Sequence, residues 1–98
     1  MNPKMNQLLD EKHAFTAKQG QYLAFIKAYT QINGRAPSER DIQTYFKVTP
    51  PTVHTMILTL ERRALIARTP AMPRSIRILA DQNTLPPLQT VKSSVQRY

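Results

Sequence analysis

The sequence contains no cysteine, and this absence excludes disulfide bridges, thiolate metal sites and cysteine nucleophiles. Its only two histidines, His13 and His54, lie far apart without an acidic cluster beside either one. We therefore expect no metal site and no cofactor. No apolar run approaches the roughly 20 residues that cross a bilayer, so we expect no membrane partner.

Glycine and acidic residues are also scarce. Gly20 and Gly34 are the only glycines, so no Gly-rich phosphate loop exists, and no carboxylate pair or nucleophile with a base stands out. We therefore expect neither an enzyme nor a small-molecule substrate. The 14 basic residues exceed the 6 acidic ones, and the net charge of +8 favours a polyanionic partner. Charge alone leaves DNA, RNA and a membrane surface open.

A chain of 98 residues has room for one domain. Residues 15–33 are predicted to form an amphipathic helix, because Thr16 and Gln19 have the capping-box spacing and Gly34 follows as a left-handed C-terminal cap. Its apolar residues recur at three- and four-residue steps, which predicts one buried face. That face consists of Tyr22, Leu23, Phe25, Ile26, Tyr29 and Ile32.

Two shorter helices are predicted to follow. Ser38 is the N-cap of the first, which buries Ile42, Tyr45 and Phe46. A tight turn at Lys47 and Val48 precedes the second, where Thr49 caps the helix and Pro50 occupies the first turn. Two short helices joined by such a turn, with a buried residue in it, are the outline of a helix-turn-helix. The segment 49–63 is then the recognition helix.

The predicted recognition helix has two distinct faces. Its buried side consists of Val53, Met56, Ile57, Leu60 and Ala64. Its outer side consists of Pro51, Thr55, Leu58 and Arg62, flanked by Thr52, His54 and Thr59. Short polar side chains of this kind can approach base edges in DNA. An ordinary solvated helix face explains the same composition equally well.

After Arg63 the apolar pattern alternates, which predicts two short strands, at 65–68 and 75–79, around a loop. An isolated hairpin is marginal, so it is expected to pack on the helices through Ile66, Ile76 and Ile78. Arg68, Arg74 and Arg77 make it a basic wing suited to phosphates. The predicted fold is mainly α (α+β), a winged helix-turn-helix with three helices and a two-stranded β-hairpin.

The predicted domain occupies residues 15–79. Residues 1–14 lack the apolar core of a secretion signal and are interpreted as a flexible leader. Residues 80–98 contain Pro86 and Pro87 without a sustained apolar period, and we interpret them as a flexible tail or a partner-binding extension.

Three stretches, FTAKQGQYLAFI, GRAPSERDI and LERRALIARTPAMPRSIRIL, resemble the N-terminal DNA-binding domain of the LexA family of bacterial repressors over residues 15–79. The resemblance implies that the start of the third helix reads the major groove of double-stranded DNA. By position, the base-reading residues are Thr49, Pro51, Thr52, His54 and Thr55. The second helix and the wing would hold phosphates through Ser38, Arg40, Arg68 and Arg74, and we add the basic residues Lys47, Arg62 and Arg77 to this set.

The sequence departs from the family pattern at positions that read bases. An asparagine is expected where Pro51 stands, and acidic residues are expected where His54 and Thr55 stand. We therefore expect a different operator. The wing has Pro70, Pro73 and Ser75 in place of small flexible residues and glycine, which predicts a wing of altered shape.

These features predict a sequence-specific DNA-binding regulator of transcription, a repressor in the cytoplasm associated with the nucleoid. LexA repressors also carry a self-cleaving domain with a serine and a lysine. Here Ser93 and Ser94 beside Lys92 lie in the short tail, so we expect no self-cleavage. A homodimer or a protein partner would use the leader, the tail or an exposed residue such as Leu58.

Two alternatives stay open. A winged helix can serve as a protein-interaction module, here through Leu58, Met72 and the tail. A plasmid or phage replication or partition factor would use the same DNA contacts. The operator sequence does not follow from the residues.

Overall fold

The computed structural model describes residues 14–91 and shows three helices followed by a two-stranded antiparallel sheet and a 3₁₀ turn. The elements are α1 (Ala17–Asn33), α2 (Glu39–Phe46), α3 (Pro50–Arg62), β1 (Ile66–Ala67), β2 (Arg77–Ile78) and the turn Gln82–Thr84. The predicted winged helix-turn-helix is confirmed. The predicted leader lies outside the described residues except for Ala14. Within the described part of the chain, no helix is long and apolar enough to span a membrane.

Helix α1 begins and ends as its local signals predict. The Thr16 hydroxyl accepts a hydrogen bond from the Gln19 N–H at 3.1 Å, and the Gln19 side chain accepts one from the Thr16 N–H at 2.9 Å. Gly34 ends the helix at a φ of 73°, in the left-handed region where glycine carries no Cβ penalty. The prediction that Ile32 is buried is wrong, since it is 82% exposed. At 3.6 residues per turn, Ile32 points opposite to the fully buried Leu23.

A second capping box opens α2. The Ser38 hydroxyl accepts from the Asp41 N–H and the Asp41 carboxylate accepts from the Ser38 N–H, both at 3.0 Å. The helix ends at Lys47, whose φ of 57° turns the chain toward α3. Val48, in that turn, packs against the core as predicted.

Helix α3 starts at Pro50 as predicted, but Thr49 does not cap it through its side chain. The Thr49 hydroxyl lies 2.9 Å from the Thr52 hydroxyl and makes no capping bond to the backbone. Because Pro50 and Pro51 have no N–H, the first turn has fewer donors that need a cap. The predicted burial of Ala64 is also wrong: Ala64 is exposed at a φ of 59°, where the chain reverses after the helix.

The core lies where the three helices meet. The rings of Tyr22 and Phe46 stack with centroids 4.4 Å apart, and Phe25 packs beside Tyr45 at 4.6 Å. Burial raises the pKa of Tyr22 to about 12, so its hydroxyl stays neutral at physiological pH. The other fully buried side chains on the helices are Leu23, Ile26, Ile42, Val53, Ile57 and Leu60.

The wing is a short hairpin that packs against the core of the domain. Ile66 pairs with Ile78 and Ala67 with Arg77, and the buried Ile66 joins the hairpin to the core. Ser75 closes the loop: its hydroxyl accepts from the Thr69 N–H at 2.9 Å and lies 2.8 Å from the Met72 carbonyl. A hydroxyl therefore stabilises the wing at the position where the family pattern has glycine.

Residues 80–91, here called the C-terminal strap, pack against the helices; the sequence predicts a flexible tail or a partner-binding extension for residues 80–98. The Gln21 side chain donates to the Pro87 carbonyl at 3.0 Å and accepts from the Gln89 N–H at 2.8 Å. The Tyr45 hydroxyl donates to the Gln89 carbonyl at 2.8 Å. Leu85, Leu88 and Val91 pack against the core. The strap forms one 3₁₀ turn and no longer helix or strand, which fits its lack of a regular apolar period, and side chains of α1 and α2 bind its backbone at Pro87 and Gln89. Residues 92–98 lie outside the description.

Candidate nucleic-acid interface

The exposed surface of α3 carries all five residues that the sequence assigns to base reading. Thr49, Pro51, Thr52, His54 and Thr55 are exposed and fall within the helix start and its first turn and a half. Their side chains are short or flat, so the backbone of α3 can approach a neighbouring surface closely. Hydroxyls can donate to or accept from base edges, and threonine methyls can contact thymine methyls.

A groove of about 400 Å³ runs between this surface and the start of α1. It is lined by Lys18, Gln19, Pro51, Thr52, Thr55, Met56 and Thr59. Lys18 is exposed, so the groove combines a cation with two exposed threonines. Lys18 is absent from the residues that the sequence assigns to DNA contacts. The sequence around Lys18 does not indicate a position beside α3, because only the packing of α1 against α3 brings Lys18 to the groove.

At the start of α2, Ser38 and Arg40 retain hydrogen-bonding capacity. The Ser38 oxygen accepts the Asp41 N–H, and its hydroxyl also helps to lower the pKa of Asp41, so an anion would share the hydroxyl proton with that carboxylate. The Arg40 side chain is exposed, as is Lys47 at the other end of the helix. The geometry is compatible with phosphate contacts from both ends of α2.

Arg74 faces the protein and joins the wing to the helices. Its Nη1 donates to the Asp41 carboxylate at 2.8 Å, the Tyr29 hydroxyl at 3.1 Å and the Ala36 carbonyl at 3.3 Å. Its φ of 59° turns the wing loop so that the side chain reaches α1 and α2. Arg74 therefore braces the wing. A phosphate contact by this residue stays a prediction and would have to use its other guanidinium nitrogens.

The contact between Arg74 and Asp41 depends on the ionised form of the Asp41 carboxyl group. The Ser38 N–H is the largest cause that lowers the pKa of Asp41; burial opposes it, and the Ser38 hydroxyl, Tyr29 and Arg74 add to the lowering. Because the pKa is lower in the folded than in the unfolded chain, the stabilisation is complete above the ordinary carboxyl value of about 3.9. It is lost as the pH falls through the lower folded value.

Replacing Asp41 with asparagine is accordingly expected to lower the free energy of unfolding at neutral pH by about 1 kcal/mol, the usual contribution of such a cap. The deficit is expected to shrink as the pH falls below about 4, where the parent chain loses the same charge. Urea unfolding of both proteins across a pH series measures this difference. A deficit that stays constant with pH would contradict the assigned role of the Asp41 charge.

Glu39 connects α2, α3 and the wing. Its Oε1 lies 3.2 Å from His54 Nδ1, and its Oε2 lies 3.4 Å from Arg68 Nη1. Arg68 also pairs with Glu61 through Nε at 3.2 Å. The sequence assigns His54 to base reading and Arg68 to phosphate binding. In the structure both side chains contact the carboxylate of Glu39. Among residues 14–91 no group of three or more histidine, aspartate or glutamate side chains is arranged to hold a metal ion.

The two remaining predicted contacts lie apart from each other. Arg62 is exposed at the end of α3, with Nη2 3.3 Å from the Thr59 hydroxyl. Arg77 is exposed on β2 and lines a second cavity together with Ile26 and Thr30 of α1. Thr30 lies 12 residues along α1 from Lys18, which corresponds to about 18 Å. Arg77 is therefore far from the groove beside α3.

The family model of the LexA DNA binding domain matches residues 12–75, which is more than half of the chain. The chain belongs to this family. It is 43% identical over 70 residues to the LexA repressor of Thermosipho melanesiensis and 41% identical over 70 residues to that of Thermosipho africanus. These matches cover 71% of this chain but 35% of each relative, so the chain spans about a third of their length.

Membership in the LexA DNA-binding domain family agrees with the fold and identifies α2 and α3 as its helix-turn-helix. The LexA repressor of Petrotoga mobilis is 37% identical over 78 residues, covering 72% of this chain and 38% of the relative. The family match ends at Ser75, so β2 and the C-terminal strap lie beyond it. Lys92, Ser93 and Ser94, from which the sequence leads us to expect no self-cleavage, lie outside the described residues.

Proposed function

We propose that this chain binds a specific double-stranded DNA sequence through α3 and represses transcription by occupying its site. The observation that carries the proposal is the exposed start of α3 beside Lys18, within a LexA DNA-binding domain. An α-helix fits the major groove of B-DNA, where each base pair has its own pattern of donors and acceptors. A cation at the groove edge is suited to the adjacent phosphates.

The residues divide into two roles in this proposal. Thr49, Pro51, Thr52, His54 and Thr55 face the base edges. Phosphates are bound by Ser38, Arg40, Lys47, Arg62, Arg68, Arg74 and Arg77, and we add Lys18 to this proposed set because it lines the groove beside α3. The net charge of +8 supplies long-range attraction to DNA. Arg68 and Arg74 have internal partners, so their phosphate contacts would be shared with those partners or replace them.

Repression is suggested by the names of the relatives, which are LexA repressors. Blocking a promoter requires only occupancy, so the described domain acts by binding and not by catalysis. A single small module binds DNA weakly at physiological salt, and two half-sites, bound by a homodimer or with a protein partner, would raise the affinity. Such binding would hold the protein at the nucleoid in the cytoplasm.

Selection of bound fragments from random duplex DNA tests this function. We expect one enriched motif, arranged as two half-sites if the protein binds as a dimer. Affinity for that motif is expected to exceed the affinity for random duplex by at least about 1,000-fold, and both are expected to fall as salt rises. Equal binding to all duplexes across the salt series would contradict sequence-specific recognition and favour the protein-interaction alternative.

A further inference from the structure

One nitrogen of His54 is committed to a carboxylate, while the other faces no described partner. His54 Nδ1 lies 3.2 Å from Glu39 Oε1, and the side chain is 55% exposed. Among residues 14–91, no hydrogen bond to His54 Nε2 is found. His54 lies on the part of α3 that the proposed function assigns to base reading, so Nε2 is the ring atom left for DNA.

The chemistry of a carboxylate determines which nitrogen carries the proton. An ionised carboxylate only accepts hydrogen bonds, so Nδ1 must be the donor in this contact. In the neutral ring the proton then sits on Nδ1, and Nε2 is an acceptor with a lone pair. In the charged ring Nε2 also carries a proton and becomes a donor. Glu39 therefore determines what Nε2 presents to a base at each pH.

The two forms suit different bases in the major groove. Adenine and cytosine present an exocyclic amino donor there, which an acceptor can bind. Guanine presents O6 and N7 and thymine presents O4, which are acceptors and require a donor, whereas adenine N7 is an acceptor beside its amino donor. An acceptor facing guanine leaves two lone pairs opposed, and a donor facing an amino group leaves two hydrogens opposed.

We infer that Glu39 makes His54 a pH-dependent specificity residue, whose neutral form accepts from the amino group of cytosine or adenine and excludes guanine and thymine, and whose charged form donates to guanine or thymine and excludes cytosine. The inference deepens the proposed function and rests on it. Glu39 does not contact DNA in this arrangement but positions the ring that does. The recognised feature is thus one base position of the operator.

The charged groups around His54 come from each element packed against it. Glu39 belongs to α2, Glu61 belongs to α3 and Arg68 follows β1. Arg68 lies 3.4 Å from the other oxygen of Glu39 and helps to orient that carboxylate toward the ring. Glu61 contacts Arg68 and not His54, so it is a matched acidic residue in the same cluster.

The first measurement needs no DNA and no variant. Nitrogen-15 NMR of the histidine ring in the full chain distinguishes the two neutral tautomers, because protonated and unprotonated ring nitrogens have well-separated shifts. At about pH 8, where ordinary histidines are mainly neutral, the Nδ1–H form of His54 is expected to predominate. A predominant Nε2–H form would overturn the inference and would leave the proposed function untouched.

The second measurement repeats the selection from random DNA at about pH 8 and about pH 5, the range over which histidine side chains change charge. One position of the motif is expected to change from cytosine to guanine or thymine, by about tenfold in preference, as the pH falls, because adenine presents both a donor and an acceptor and fits either form of the ring. The His54→Gln variant is expected to lose this change, because an amide both donates and accepts at every pH.

Variants of the two glutamates separate the tautomer effect from a general loss of charge. Glu39→Ala is expected to remove the preference against guanine at about pH 8, since the neutral ring is then free to present either nitrogen. Glu61→Ala removes the same charge from the cluster and is expected to keep the pH-dependent change. A motif that is specific but identical at both pH values would overturn the inference alone, whereas the absence of any motif would overturn the proposed function.

Discussion

Replacing Thr52 with glutamate is expected to lower the affinity for the selected DNA sequence about 100-fold, the largest effect on binding that the structure predicts for one substitution. Thr52 is exposed in the first turn of α3 and lines the groove beside Lys18. A carboxylate there would face the acceptor-rich base edges and the phosphates and would be repelled by both. Equilibrium titration of the selected duplex measures the loss.

The substitution is expected to leave the fold intact, so the loss can be attributed to the interface. Thr52 is the third residue after the N-cap Thr49, where a glutamate side chain can accept from the N-cap N–H and lies at the positive end of the helix. Ile32→Glu is the matched control. It makes the same change in charge at a side chain that is 82% exposed, 14 residues and thus about 21 Å along α1 from Lys18. Equal losses for the two variants would contradict the assigned interface.

Ending the chain at Asp81 is expected to lower the free energy of unfolding by about 3 kcal/mol. The truncation removes the packing of Leu85, Leu88 and Val91 on the core, and each partly buried aliphatic side chain contributes on the order of 1 kcal/mol. It also exposes the Gln21 amide, which is buried under the strap. Urea unfolding monitored by circular dichroism measures the effect, and the midpoint of thermal unfolding is expected to fall by more than about 10 °C.

A chain that ends at Val91 is the control for this truncation. It keeps every strap contact that the structure describes, so its free energy of unfolding is expected to exceed that of the chain ending at Asp81 by about 3 kcal/mol. Equal stability of the chains that end at Asp81 and at Val91 would show that residues 82–91 behave as the flexible tail that the sequence predicts.

Local signals in the sequence predict the helices because each signal and its partner lie within a few residues. The Thr16 and Gln19 pair, the Ser38 and Asp41 pair and Gly34 each act over one helical turn, and the structure confirms all of them. Thr49 is the exception at a helix start. The Thr49 hydroxyl bonds to the Thr52 hydroxyl and not to a backbone N–H, because Pro50 and Pro51 have no N–H groups to donate in the first turn.

Long-range contacts account for what the sequence does not predict. Gln21 binds the strap 66 residues away, and Arg74 reaches Tyr29 across 45 residues. Such pairs leave no periodic pattern in the chain, since neither partner is placed by its neighbours in sequence. The groove between Lys18 and Thr52 and the sharing of Glu39 by His54 and Arg68 arise in the same way.

The sequence by itself determined the class of the protein: three helices and a basic hairpin, the LexA-type order of its motifs, and the short polar face of α3. Helix caps, apolar periodicity and net charge are local or additive properties, so they can be identified in the sequence without knowledge of the fold. The tertiary structure decided which of the basic residues are exposed and which have internal partners, that residues 80–91 pack against the core, and which partner His54 Nδ1 has. These depend on which distant side chains satisfy one another's hydrogen bonds, and only the folded chain brings those partners together.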